Sequence, residues 1–220
     1  MTVKGSNKFS LELVFIHIHK TGGKSISKSL QEIYQNQYFR YNRHQLRQKG
    51  LDHIDPSNDP FPKGTRVLSG HLKYKEVEPI LDPTTRIITW LRHPIDRLVS
   101  NYYWRKQLNM ERPGNDYPIN DPNITLEQFA DLEINQNRIS KFLEGIELED
   151  LFFIGLMEQL EEDLHLLASK LDWPRVPVFH VNKNRIKPEK PAIRKRLEEK
   201  LISLNQKDIE LYRKALELRQ

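Results

Sequence analysis

A chain of 220 residues, 37% of them hydrophobic, is long enough for one α/β domain with a sizeable core. The absence of cysteine excludes disulfides and thiol chemistry. A net charge of +5 and a pI of about 9.2 favour anionic ligands, with simple solubility as the plainer account of a basic surface. No run approaches the ~20 apolar residues of a membrane span, and the N-terminus lacks a signal-peptide core, so a cytoplasmic location is the expectation.

The first element is the most specific. Phe15-Ile16-His17-Ile18 alternates as a strand, and His19-Lys20-Thr21-Gly22-Gly23-Lys24-Ser25 follows it before a helix-forming stretch from Ile26 to Gln35. Strand, glycine-bearing loop and helix form a phosphate cradle: loop N–H groups and a helix N-terminus converge on an anion, and lysine adds a full charge. The spacing is not that of an ATP or GTP loop, which requires glycine five positions before Gly23, where Ile18 stands. A Gly-Gly turn with solvated lysines is the plain alternative. On an alternating strand His17 and His19 face opposite sides; His19, next to Lys20, reads as a hydrogen-bonded core histidine, with an approach to the reaction centre as the alternative. The eight histidines are scattered, with neither cysteine nor an H-E-x-x-H helix beside them, so no zinc site is expected.

From about Tyr41 to Gly64 the chain is polar, and Asp-Pro-Ser-Asn-Asp-Pro-Phe-Pro marks an irregular loop. Val67-Leu68-Ser69-Gly70-His71 is a short apolar strand ending in Gly-His. Arg86 to Leu91 is a buried strand that delivers Arg92 to its C-terminal end, the edge where open α/β sheets bind ligands. A helix follows at once: Pro94 suits its first turn, Asp96 complements the dipole, and Ile95, Leu98, Val99 and Tyr102 form one apolar face.

Arg105 to Asn123 reads as a loop-like insert carrying Arg105, Lys106, Arg112 and Tyr117, the place to look for acceptor contacts. Thr125 caps or opens a helix through Leu132, and Asn135 to Leu143 forms another. Leu151 to Gly155 is a late strand, and Glu158 to Leu171 an amphipathic helix. Phe179 to Arg185 is a basic turn. Ala192 to Leu218 reads as a helix pair broken near Ser203-Leu204-Asn205. With no internal repeat, residues 1–220 are taken as a single domain.

The segments HKTGGKS and LRHPIDRLVSNYY together resemble the two cofactor signatures of sulfotransferases that use 3′-phosphoadenosine 5′-phosphosulfate (PAPS). The nearest branch is that of heparan sulfate 2-O-sulfotransferase and its bacterial relatives. The resemblance implies a three-layer α/β sandwich with a central parallel sheet, the P-loop-NTPase-like sulfotransferase fold. It implies PAPS as sulfuryl donor, PAP as product, no metal, and a hydroxyl-bearing acceptor, a saccharide by preference. Carried over residue by residue, Lys20, Thr21, Gly22, Gly23, Lys24 and Ser25 line the 5′-phosphosulfate site, while Arg92 and Ser100 hold the 3′-phosphate. Lys20 also stabilises the leaving group. Lys183 and Arg185, with Asn182, resemble a late basic loop over the nucleotide, a solvated basic turn being the alternative.

His71 matches the second histidine of a His-Gly-His segment in that branch, which makes it the candidate general base; a structural histidine at a strand end is the alternative. Two departures stand out. Ser69 replaces the first histidine of that segment, and Lys24 stands where relatives carry threonine or another small residue, adding charge to the site or pointing into solvent. The animal relatives are membrane-anchored, so this anchorless chain reads as bacterial or trimmed.

Two other classes share part of this pattern. A magnesium-dependent nucleotide kinase or NTPase has the same strand, loop and helix, but here Arg-His-Pro stands where a metal-binding aspartate is expected. A nucleic-acid-binding protein fits the basic pI and the Tyr102-Tyr103-Trp104 cluster, yet those aromatics continue an amphipathic helix and no groove-reading motif accompanies them.

Overall fold

The computed structural model describes residues 10–41, 54, 61–111, 121, 123–179 and 195–219. In chain order the elements are β1 (Leu13–Ile16), α1 (Gly23–Tyr34), β2 (Tyr38–Tyr41), β3 (Val67–Gly70), α2 (Tyr74–Val77), β4 (Arg86–Leu91) and α3 (Pro94–Glu111). They continue with α4 (Leu126–Asp131), α5 (Arg138–Leu143), β5 (Phe153–Leu156), α6 (Leu160–Lys170), α7 (Lys195–Leu204) and α8 (Gln206–Glu217). Contacts divide the chain into two compact units: residues 1–91 with 141–181, and residues 92–140 with 182–220.

The first unit is a five-stranded, all-parallel sheet in the order β2-β3-β1-β4-β5. Its strands read as near-continuous apolar runs, as they must when both faces are covered. Leu13, Phe15, Val67, Ile88, Trp90 and Phe153 pack with Ile26, Leu30 and Tyr34 of α1 and Leu167 of α6. On the opposite face Val14, Ile16 and Leu68 are equally buried. The chain leaves β1 toward β2 on one side, and from β3 it crosses over β1 to reach β4. The C-terminal end of β1 is therefore the topological switch point, the crevice where open parallel sheets take ligands.

In the second unit Pro94 opens α3 and Asp96 lies in its first turn. Ile95, Leu98 and Tyr102 face Phe129 and Ala130 of α4 and Leu201 of α7, with Val99 packed alongside. Thr125 caps α4 reciprocally: Gln128 N donates to Thr125 Oγ1 at 3.2 Å, and Thr125 N donates to Gln128 Oε1 at 2.9 Å. The helix pair expected at the C-terminus breaks at Asn205, whose Nδ2 donates to Leu201 O while its Oδ1 receives Asn137 N.

One loop expectation is corrected. The segment from Arg105 through Glu111 continues α3, because Arg-Lys-Gln-Leu-Asn-Met-Glu holds neither proline nor glycine and the first helix breaker is Pro113. Arg105 is buried, and its guanidinium stacks on the Trp104 ring at 4.6 Å. Arg112 and Tyr117 lie outside the described residues. The edge strand β2 was not expected from sequence; it takes the Tyr-Phe-Arg-Tyr run between the expected helix and the polar segment.

A buried polar network organises this second unit. The carboxylate of Asp208, fully buried on α8, accepts the N–H groups of Ile139 at 2.9 Å and Ser140 at 2.8 Å and so caps α5. Arg97 is 1% exposed and donates through Nη2 to Asn135 O at 3.3 Å. Burial pulls its guanidinium down to about 10, Asp208 opposes that fall, and it stays charged at neutral pH. Asp208→Ala would leave two helix donors without their acceptor and the buried Arg97 without a compensating charge, and is expected to cost about 3–5 kcal/mol. Urea unfolding of wild type and variant measures this; a loss below about 1 kcal/mol would remove Asp208 from the role given to it.

Candidate active site

The ladder between β1 and β3 runs one rung past the strands: His17 N donates to Gly70 O at 2.9 Å. The carbonyl of the same residue faces the His71 imidazole, with Nδ1 2.7 Å from His17 O. A carbonyl only accepts, so His71 Nδ1 carries the proton and, in the neutral ring, Nε2 carries the lone pair. That tautomer is the one a general base needs, and it is set by the main chain of His17, one residue past β1.

β1 ends at Ile16, so the strand alternation expected for His17 and His19 does not reach them. Both rings instead meet His71. The His19 and His71 rings stack at a centroid distance of 3.7 Å and 8° between planes; the His17 ring lies 4.2 Å from His71, tilted by 35°. His17 is 4% exposed. Burial holds its pKa well below the ordinary 6.5, and repulsion from His71 in its protonated form, from Arg40 and from Lys24 pushes the same way.

The loop that follows turns tightly into α1. Lys20 has φ 69° and Gly22 φ 83°, both in the left-handed region; for a lysine that conformation costs on the order of 1 kcal/mol or more and marks a position held by its surroundings. Thr21 is fully buried, and its Oγ1 donates to Ile18 O at 2.9 Å, so its side chain braces the loop. Gly23 opens α1 directly against the His17 ring: a Cβ there would lie 1.9 Å from His17 Cδ2. Ser25 is buried with its N–H donated to Gly22 O at 2.9 Å, whereas Lys24 is exposed on the first helical turn.

Lys20, Thr21, Gly22, Gly23, Lys24, Ser25 and His71 thus belong to the first unit, on the two chain segments that leave β1 and β3. Arg92 and Ser100 belong to the second, both half-buried, Arg92 just before α3 and Ser100 within it. Lys183 and Arg185 lie outside the described residues. The chain leading toward them runs along α1: Ser29 Oγ donates to Pro177 O at 2.5 Å, and the Lys28 ammonium sits 4.2 Å over the Phe179 ring. Ser69, which departs from the His-Gly-His pattern, is fully buried with its Oγ 3.0 Å from Ser27 Oγ of α1. Among the described residues no group of three histidines or carboxylates is arranged to hold a metal ion, and no helix is long and apolar enough to cross a membrane.

A parallel sheet whose switch point carries a lysine- and glycine-bearing loop and an oriented imidazole defines an anion-binding α/β protein. The sequence pattern of the sulfotransferase family matches residues 8–215, and the chain belongs to that family. Among solved structures, mouse sulfotransferase SULT7A1 complexed with PAP is similar at 15% identity and a TM-score of 0.45, over 79% of this chain and 61% of that one. A sulfotransferase from Alicyclobacillus acidocaldarius is similar at 14% identity and a TM-score of 0.48, over 91% and 93%. The chain thus spans 61% of the length of the mouse enzyme. No curated protein matches the sequence.

His17 gives a pH test. Its folded-state pKa is depressed, so below 6.5 the unfolded chain binds the proton that the folded chain refuses. Stability is therefore expected to fall as pH drops from about 6.5 toward 5, with a slope approaching 1.4 kcal/mol per pH unit from this residue alone. His17→Phe, which keeps the carbonyl and an aromatic ring, is expected to flatten that window in urea titrations. An unchanged slope would mean that His17 is not the residue refusing the proton.

Proposed function

We propose that this protein transfers a sulfuryl group from PAPS to an acceptor hydroxyl, with His71 as general base and Lys20 as the charge partner of the leaving group. What carries the reading is the hydrogen bond from His71 Nδ1 to His17 O, which leaves Nε2 as the accepting nitrogen at the switch point of the sheet. Membership of the sulfotransferase family supports it.

The residues fit a polyanionic donor. The loop N–H groups around Gly22, the N-terminus of α1, Lys20 and the exposed Lys24 all favour a phosphosulfate. Thr21 contributes through loop shape and its backbone N–H, its hydroxyl being bonded to Ile18. We assign Arg92 and Ser100 to the 3′-phosphate, for which a guanidinium fork is suited. When bound, the donor supplies an activated sulfuryl group. His71 Nε2 takes the proton of the attacking hydroxyl, and Lys20 meets the negative charge that develops as the bridging S–O bond breaks. A saccharide is the acceptor we favour, on the branch that the two signatures resemble.

Calorimetric titration with PAP, AMP, ADP and Mg-ATP tests the donor. PAP is expected to bind about 10- to 100-fold more tightly than AMP, the value of charge-assisted bonds to the 3′-phosphate. Arg92→Ala is expected to abolish most of that difference. A preference for Mg-ATP would return the loop to the nucleotide kinases. In PAPS turnover, followed as PAP release, His71→Ala is expected to lose about 10²–10⁴-fold and Lys20→Ala about 10²–10³-fold.

A further inference from the structure

The bond from His71 to His17 O fixes one atom of an imidazole, not its plane: a ring held at Nδ1 alone still rocks about that contact. The plane is fixed by a second histidine. His19 lies face to face with His71, 3.7 Å between centroids and 8° from parallel. His19 is itself braced from behind, with the edge-on ring of Phe142 5.6 Å away at 80°. The His17 ring, tilted and held by Gly23, closes on His71 at 4.2 Å. Two rings from the segment after β1 thus flank the imidazole that leaves β3, one of them backed by Phe142 of α5. Such an arrangement is more than core filling, because His71 and His19 are both only half-buried.

We propose that His19 is a positioning residue for His71, its ring acting as the plate that holds the imidazole plane and so aims Nε2. This rests on the reading of His71 as the base. The only transfer involved is of a proton, from the attacking hydroxyl to His71 Nε2; His19 neither gains nor loses one. Once Nε2 is protonated, the charge of the imidazolium lies against the face of the His19 ring, a contact that a flat aromatic ring supplies and a methyl group does not. His19 thereby takes a part in orienting the base that Ser69, turned toward Ser27, is not placed to play.

The test compares His19→Ala, His19→Phe and His71→Ala with wild type, using PAPS turnover with water as the acceptor and long-range ¹H–¹⁵N spectra of the histidine rings. PAP affinity and thermal midpoint serve as controls for folding and donor binding. His19→Ala is expected to lower turnover roughly 5- to 30-fold at unchanged PAP affinity, with the His71 ring signals broadened as its plane rocks about an Nδ1–H bond that persists. His19→Phe is expected to restore both turnover and the sharp signals. The proposal is overturned if His19→Ala keeps its turnover and line widths, or if His19→Phe is as impaired as His19→Ala, which would make the His19 nitrogens the working atoms. Undiminished turnover in His71→Ala would instead overturn the reading of His71 as base, and this proposal with it. Loss of PAP binding in wild type would strike the donor assignment and leave the spectra to judge His19.

Discussion

The parallel ladder between β1 and β3 ends on His17, whose N–H goes to Gly70 and whose carbonyl receives the His71 imidazole. The rest of the crevice depends on this one residue. Its main chain orients the candidate base, its ring provides the floor on which Gly23 starts α1, and its position sets where the loop from Ile18 to Gly22 must turn. The first of these roles belongs to a backbone carbonyl, which no substitution removes directly. They follow from strand order: only with β3 beside β1 does a residue leaving β3 meet a carbonyl leaving β1.

Around that point the electrostatics are layered. The innermost imidazole is held neutral by burial, with Arg40 and Lys24 reinforcing the effect, while lysines occupy the loop and the first turn of α1. An anion drawn to the positive rim and helix N-terminus therefore meets a neutral, hydrogen-bonded interior, so positive charge is kept where it attracts ligand without being trapped in the core. The second unit shows the opposite solution. There a guanidinium is buried outright, and the carboxylate of Asp208 and the carbonyl of Asn135 compensate it.

Much of this organisation was legible in the chain. The apolar spacing of Ile95, Leu98, Val99 and Tyr102, the proline at the start of α3, the Thr125 cap and the break near Asn205 are local signals, and local physics decided them. The loop after β1 was legible because glycine, lysine and hydroxyl residues rarely crowd together without a reason. What escaped was non-local. Strand alternation gave His17 and His19 opposite faces, but β1 stops at Ile16 and the loop folds both rings onto a residue 54 positions from His17. β2 escaped because an edge strand of four residues needs little sequence pattern, and residues 105–111 were lost to the proline and asparagine that follow them. The partnership of Arg97, Asn135 and Asp208 joins three helical segments and leaves no trace in any one of them.

The brace between Thr21 and Ile18 has a consequence for entropy. A loop of glycine and lysine is among the most mobile that a chain can make, and ordering it on each encounter would cost about 1–2 kcal/mol per residue. Here the hydroxyl of Thr21, the left-handed turns at Lys20 and Gly22 and the contact of Gly23 with His17 settle its shape during folding. The disorder is surrendered once, when the protein is made, and no ligand has to surrender it again. For the donor proposed above, affinity at this loop is then governed by charge and fit, and it should vary little with temperature-driven loosening of the chain elsewhere.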